Sequence, residues 1–243
     1  MARMDGVSQN TPEWIVARVG CVTASRCGDV LAKPKRGTGE LACRANYRTE
    51  IVVELLTGRA AEHYVSPAME WGLENENDAV DAYEIKLGVE AKEGGFWIHD
   101  RINRFAASPD RLIGDEGLLE AKCPTTQTHI EWVIAGVIPE DYKPQMLAQM
   151  ACTGRKWCDF VSFDPRLPSF LRLFVRRFYR DETAIAELEA EVEKFLEEVG
   201  ETMSLLAQAK KDEGNGQEEA SNRSEGSVAQ AEGVLSEGGE RCG

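Results

Sequence analysis

The order of patterns along these 243 residues predicts an α/β domain, a mixed sheet flanked by helices, followed by a polar tail. Three observations carry that prediction. Up to Gly88 the apolar residues repeat at helical spacing, with recognisable start and stop signals. From Gly94 to Lys122 the period shortens to that of strands. After two further helical stretches, two strand-like runs precede a long amphipathic helix.

Each element has a local cause. Thr11-Pro12-Glu13 offers an N-cap oxygen followed by proline in the first turn, so a short helix runs to about Arg18. "GCVTAS" leads into another helix ending near Ala32, and "KPKRGTGE" is a basic loop punctuated by Gly and Pro. A helix from about Leu41 to Leu56 stops at Gly58, and Ser66-Pro67 opens one that runs to Leu87 and Gly88. "FWIH", "RFAA", "DRLI" and "LLEAK" read as strands, with "GDEG" a tight turn between the last two. Helices resume near Thr128–Ala135 and Pro144–Cys152, then "WCDFVSFD" and "FLRLFVRRF" return to strand. From Asp181, Ile185, Leu188, Val192, Phe195, Val199 and Met203 form one helical stripe. Residues 1–11 read as a flexible N-terminus and 12–210 as the domain. Residues 211–243, polar and rich in Gly, Ser and Glu, read as a disordered tail.

Charge is distributed unevenly. Residues 181–243 hold 17 acids and 5 bases, so −12 of the net −14 lies there and the body is nearly neutral. A nucleic-acid face on that body is therefore compatible with the overall sign. Seven cysteines without a C-x-x-C pair argue for reduced, mostly buried thiols rather than disulfides or a zinc site. No apolar run approaches a membrane span and no signal-peptide core precedes the domain, so a cytoplasmic protein is expected.

The chemistry concentrates in "SPDRLIGDEGLLEAKCP", residues 108–124. Side chains alternate faces along a strand, so Glu120 and Lys122 share one face while Leu119 and Ala121 point into the core. The "GDEG" turn brings Asp110 alongside Glu120. Two carboxylates beside an ammonium suit metal-assisted phosphodiester hydrolysis, with the Ala121 carbonyl available as a further oxygen ligand. An ordinary solvated ion pair is the bland alternative. Glu76 falls on an apolar helical stripe of Met69, Leu73, Val80, Tyr83 and Leu87, where a carboxylate needs a partner or a metal unless it snorkels at the edge. Gln145 and Gln149, one turn apart, hint at a polar contact facing the same site. His63, His99 and His129 lack metal-ligand spacing, and nothing brings Cys123 and His129 together as a nucleophile pair.

Six segments in register carry a resemblance: "RVGCVTAS" with "LAKPK", "MEWGLENENDA", "ASPDRL", "LLEAKCP", "PQMLAQMACTGRKW" and "FVSFDPR". Over roughly residues 12–200 the chain resembles the phage lambda exonuclease and YqaJ-type viral recombinase family, within the PD-(D/E)XK nuclease superfamily. That resemblance implies a restriction-endonuclease-like fold and a Mg2+-dependent 5′→3′ exonuclease on double-stranded DNA, with Mn2+ substituting. It implies Asp110, Glu120 and the Ala121 carbonyl as metal ligands, Lys122 as the catalytic lysine, and Glu76 at a second metal or its water. Gln145 matches the family's motif glutamine. Arg18, Ser25 and Ser108 fall where the family binds the 5′-terminal phosphate, and their donors suit one. Lys33 and Lys35 would contact DNA from the loop, where Lys35 replaces a residue capable of bidentate contact. Met69 falls where the family inserts an apolar wedge between strands, and reads equally well as core. A homotrimer around DNA, an annealing-protein partner and the cytoplasm of a bacterial or phage-infected cell are also implied. The alternatives are a structure- or site-specific endonuclease on the same core and a non-catalytic adaptor.

Overall fold

The computed structural model describes residues 2–4, 7–34, 36–62 and 64–233, and within them side chains from residue 4 to residue 210. The chain opens with β1 (Ala2–Met4) and α1 (Pro12–Arg18), whose N-cap Thr11 accepts from the Trp14 N–H. Next come β2 (Val22–Thr23), a 3-10 turn at Ala24–Arg26, and the single turn α2 (Cys27–Val30). The helix expected after "GCVTAS" is thus present but short, while buried Val22 and Thr23 before it pair in parallel with Phe105 and Ala106. α3 (Ala42–Thr57) ends at Gly58 in the left-handed conformation, and α4 (Pro67–Leu87) is capped by Ser66 and ends at left-handed Gly88.

Short strands β3 (Ala91–Glu93), β4 (Phe96–Ile98), β5 (Phe105–Ala107) and β6 (Arg111–Ile113) precede β7 (Gly117–Lys122). α5 (Thr126–Ala135), α6 (Lys143–Thr153), β8 (Trp157–Phe163), β9 (Leu173–Tyr179) and α7 (Glu182–Gly233) complete the order. The strands divide between two sheets rather than one: β1-β4-β5-β2, and a mixed sheet β3-β6-β7-β8-β9. In the second, β7 runs parallel to β8 and antiparallel to β6.

β7 is the hinge of the architecture, covered on both faces as strands with parallel partners usually are. Leu119 and Ala121 pack with Ala79, Val80 and Tyr83 of α4, while the opposite face carries Glu120 toward α6. α6 buries Met146, Ala148, Met150, Ala151 and Cys152 and packs against β5, the Ala24–Arg26 turn and β8. Tyr83 donates to Asp159 at 2.7 Å, and Arg177 grips the same carboxylate through two bonds of 2.8 and 2.9 Å. This three-way contact ties α4 to β8 and β9.

The unit Met1–Val199 includes the α7 stripe, where Ile185, Leu188, Val192, Phe195 and Val199 are buried. Each such side chain contributes roughly 1.5–3 kcal/mol by leaving water, more than helix propensity supplies. The second unit begins at Gly200 and stays helical to Gly233, where the sequence reading expects disorder from residue 211. Alanine, glutamate and glutamine there are good helix formers even without an apolar stripe. Residues 234–243 lie outside the described residues. Among the described residues no helix is long and apolar enough to cross a membrane, and six cysteines are free.

Candidate active site

The β6–β7 hairpin does what the alternation predicts. Arg111 pairs with Leu119, which leaves Asp110 one step beyond, its Oδ2 accepting the Ala121 N–H at 2.8 Å. Glu120 is fully buried and held by three donors: the Lys122 ammonium, Gln145 Nε2 at 2.5 Å and Gln149 Nε2 at 2.5 Å. Both glutamines project from α6, so that helix clamps the carboxylate. The Lys122 Nζ also lies 5.4 Å from the centre of the Tyr142 ring, within cation–π range. Asp110, Glu120, Lys122 and Gln145 are thereby brought together.

The electrostatics follow from this packing. Burial, then repulsion from Glu120 and Glu76, pushes the Asp110 carboxyl well above the usual carboxylate range, with Lys122 opposing. Burial works against the Lys122 ammonium, but Glu120 and Asp110 outweigh it and hold the amine protonated. Lys122 is therefore a fixed positive charge and donor, not a free base.

The segment bearing Asp110 is gripped from outside. Gln9 Nε2 donates to the carbonyls of Ser108 and Pro109 at 2.9 and 3.0 Å. Gly94 donates its N–H to the Asp110 carbonyl at 3.3 Å, and a Cβ on Gly94 would lie 1.6 Å from the Pro109 oxygen. Only glycine fits that crossing.

Glu76 comes alongside but keeps a different partner. Its carboxylate accepts from Arg111 Nη1 at 3.1 Å, both side chains mostly buried. Among the described residues, no three His, Cys, Asp or Glu side chains form a group that could hold a metal. The donor set of the hairpin nevertheless suits a hard divalent cation. It is all oxygen, two carboxyls and a carbonyl, and no hydrogen bond reaches Asp110 Oδ1 among the described residues.

A separate cleft of about 660 Å³ is lined by Trp14, Arg18, Ser25, Tyr47, Tyr64 and Met69 among others. Arg18 lies over the Trp14 ring at 4.1 Å, and the Trp14 indole N–H donates to Ser108 Oγ at 2.7 Å. Arg18 and Ser25 therefore share the cleft, while Ser108 reaches it through Trp14. Met69 is 51% exposed, and Leu73 on the same stripe is also exposed, so neither is core. Of the apolar stripe of α4 only Val80 and Tyr83 are buried; Met69 lines this cleft, Leu73 lines a smaller polar one, and Leu87 is exposed. Lys33 pairs with Glu191 at 2.6 Å, and Lys35 lies outside the described residues.

Gln149, Tyr142, Trp14 and Arg111 complete this geometry but carried little signal in the sequence. Gln149 was visible only through its spacing from Gln145. Arg111 reads as an ordinary strand residue, and neither aromatic sits in a chemical motif.

The chain is similar to known proteins. The family model for the YqaJ-like viral recombinase domain matches residues 13–156. An alkaline exonuclease (LHK-Exo) from Laribacter hongkongensis shares 44% identity, with a TM-score of 0.77 over 83% of this chain and 99% of that one. The same values hold for its crystal structure in complex with dAMP. A phage related exonuclease from Haemophilus somnus 129PT is 17% identical, with a TM-score of 0.58 over 76% of this chain and 96% of that one, which shows the fold alone. No curated protein matches. The fold is restriction-endonuclease-like.

Proposed function

The chain belongs to the YqaJ-like viral recombinase domain family, and from that premise we propose that it is a Mg2+-dependent 5′→3′ exonuclease on double-stranded DNA. It would release 5′-mononucleotides and leave a 3′ single strand for annealing-type recombination. The observation that carries this reading is the carboxyl of Asp110 beside the fully buried carboxylate of Glu120, with the Lys122 ammonium bonded to Glu120. A phosphodiester substrate brings further negative charge to that site, which a divalent cation there would offset.

Asp110, Glu120 and the Ala121 carbonyl would hold the cation, with Glu76 at a second one or its water. When bound, it supplies charge against the phosphate and lowers the pKa of a water. Gln145 and Gln149 hold the Glu120 carboxylate aimed without reorganisation during the reaction. Lys122 donates to the oxygen on which negative charge develops. Arg18 and Ser25 offer donors to a terminal phosphate, Ser108 stands behind Trp14, and Met69 faces the same cleft as a wedge against the strands. Lys33, and Lys35 beyond the described residues, would meet the backbone, so affinity falls steeply with salt. A ring-shaped homotrimer around DNA, a single-strand annealing partner and the cytoplasm complete the reading.

Digestion of linear against nicked-circular duplex, in Mg2+ and in EDTA, tests it. Degradation of linear DNA from 5′ ends, abolished by EDTA and by Asp110→Ala, is expected. Cutting of circular DNA without an end would replace this reading by an endonuclease. Wild-type rates in Asp110→Ala and Lys122→Ala would remove it.

A further inference from the structure

Arg111 lies between the helix-borne acid and the hairpin. Its Nη1 donates to Glu76 Oε1 at 3.1 Å and to the Asp110 carbonyl at 2.7 Å, and its Nη2 donates to Asn77 Oδ1 at 2.8 Å. The guanidinium fork thus spans two adjacent residues of α4 and the backbone at Asp110. Its side chain is only 15% exposed, so the ion pair with Glu76 is poorly screened. It borders a polar cleft of about 190 Å³ that also includes Glu76, Asn77, Glu93 and Asp110. The cleft is large enough for a hydrated ion, yet its acids do not form a metal-holding group among the described residues. A guanidinium cannot be deprotonated, so it is a permanent competitor for any carboxylate it binds.

We propose that Arg111 is a positioning residue that acts as a resident counter-cation, holding Glu76 back from the Asp110–Glu120 pair. The site then takes one divalent ion readily and a second only when Glu76 leaves the guanidinium. Negative charge on an incoming phosphate is the natural agent of that exchange, since it can draw the guanidinium away while the cation gains Glu76. The inference rests on the proposed function, because it concerns the same cation site.

The test is Mn2+ binding to the full chain without DNA, followed by calorimetry and by electron paramagnetic resonance of free Mn2+. Wild type is expected to bind one Mn2+ per chain, with a second at least tenfold weaker. Arg111→Gln should tighten the second binding event by tenfold or more and leave the first within about twofold. Arg111→Lys, which restores charge without the fork, should return toward wild type, and Glu76→Gln should abolish the second event in either background. Asn77→Ala removes one anchor of the fork and should tighten the second event by less, which keeps the proposal testable if Arg111→Gln misfolds. Equal Mn2+ isotherms for wild type, Arg111→Gln and Asn77→Ala would overturn the proposal while leaving the nuclease reading intact. Absence of any Mn2+ binding that depends on Glu120 would overturn both.

Discussion

Around Glu120 three donors converge on one buried carboxylate, whereas in the neighbouring cleft the Arg18 guanidinium rests on an indole face with no salt bridge among the described residues. The first region is over-determined. Its groups are fixed before any ligand arrives, so little reorganisation remains to be done at the moment of reaction. The second region leaves the Arg18 guanidinium without an ion pair among the described residues. Burial even pulls the Arg18 pKa down from its ordinary value, a cost that an anionic ligand would relieve. Under the proposed function the difference would separate chemistry from recognition within one molecule, with the Glu120 carboxylate held by protein donors and the Arg18 guanidinium left without an ion pair among the described residues.

That contrast breaks most sharply at Lys122. Lys122→Met keeps the stem but removes the charge, and initial rates on linear duplex should fall by about 10³-fold or more. A loss under tenfold would make the amine a mere neighbour of Glu120. Next in size is Gln149→Leu, which deletes one donor from a carboxylate with no access to water. Mn2+ affinity and rate should each fall by about 10–100-fold, as when an outer partner of a metal ligand is lost. Retention of both would mean that the α6 clamp is not needed. In the cleft the expected effect is smaller and confined to the substrate end. Arg18→Ala should reduce the preference for 5′-phosphorylated over 5′-hydroxyl ends by about tenfold, and an unchanged ratio would remove Arg18 from phosphate recognition.

Asp164 sharpens the comparison from outside both regions. It is fully buried, yet Arg166 and Thr126 overcome that burial and hold its carboxyl down at about 2. Since the folded value is depressed, its contribution is complete above the unfolded value of about 4 and is lost as pH falls from there toward about 2. Asp164→Asn should therefore cost about 2 kcal/mol in urea unfolding at neutral pH, with the gap to wild type closing below pH ~3. A gap that persists at that acidity would mean that the loss is one of packing rather than charge.

How much of this was legible depended on the kind of signal. The hairpin could be read because period-two alternation decides which side chains share a face, and the caps at Ser66 and Gly88 announced α4. β1 and β3 could not be read, because three-residue edge strands carry no period. The division into two sheets depends on the pairing of β2 with β5 across more than eighty residues, which no local pattern encodes. Met69 and Leu73 keep helical spacing with the core but are exposed, since spacing defines a stripe and not what covers it. Arg111 was invisible for a related reason. It sits beside Asp110 in sequence, but its partners Glu76 and Asn77 come from a helix over thirty residues earlier.

The crossing at Gly94 has a consequence beyond its own neighbourhood. Because the Pro109 carbonyl occupies the place of a methyl group there, the thickness of one bare peptide sets how far the Asp110 strand stands off its neighbour. The place of the Asp110 backbone beside residue 94 is therefore gauged by an atom that is missing. A Gly94→Ala chain that still folds would carry a displaced Asp110, and under the proposed function its preference should drift from small ions such as Mg2+ toward larger ones such as Ca2+.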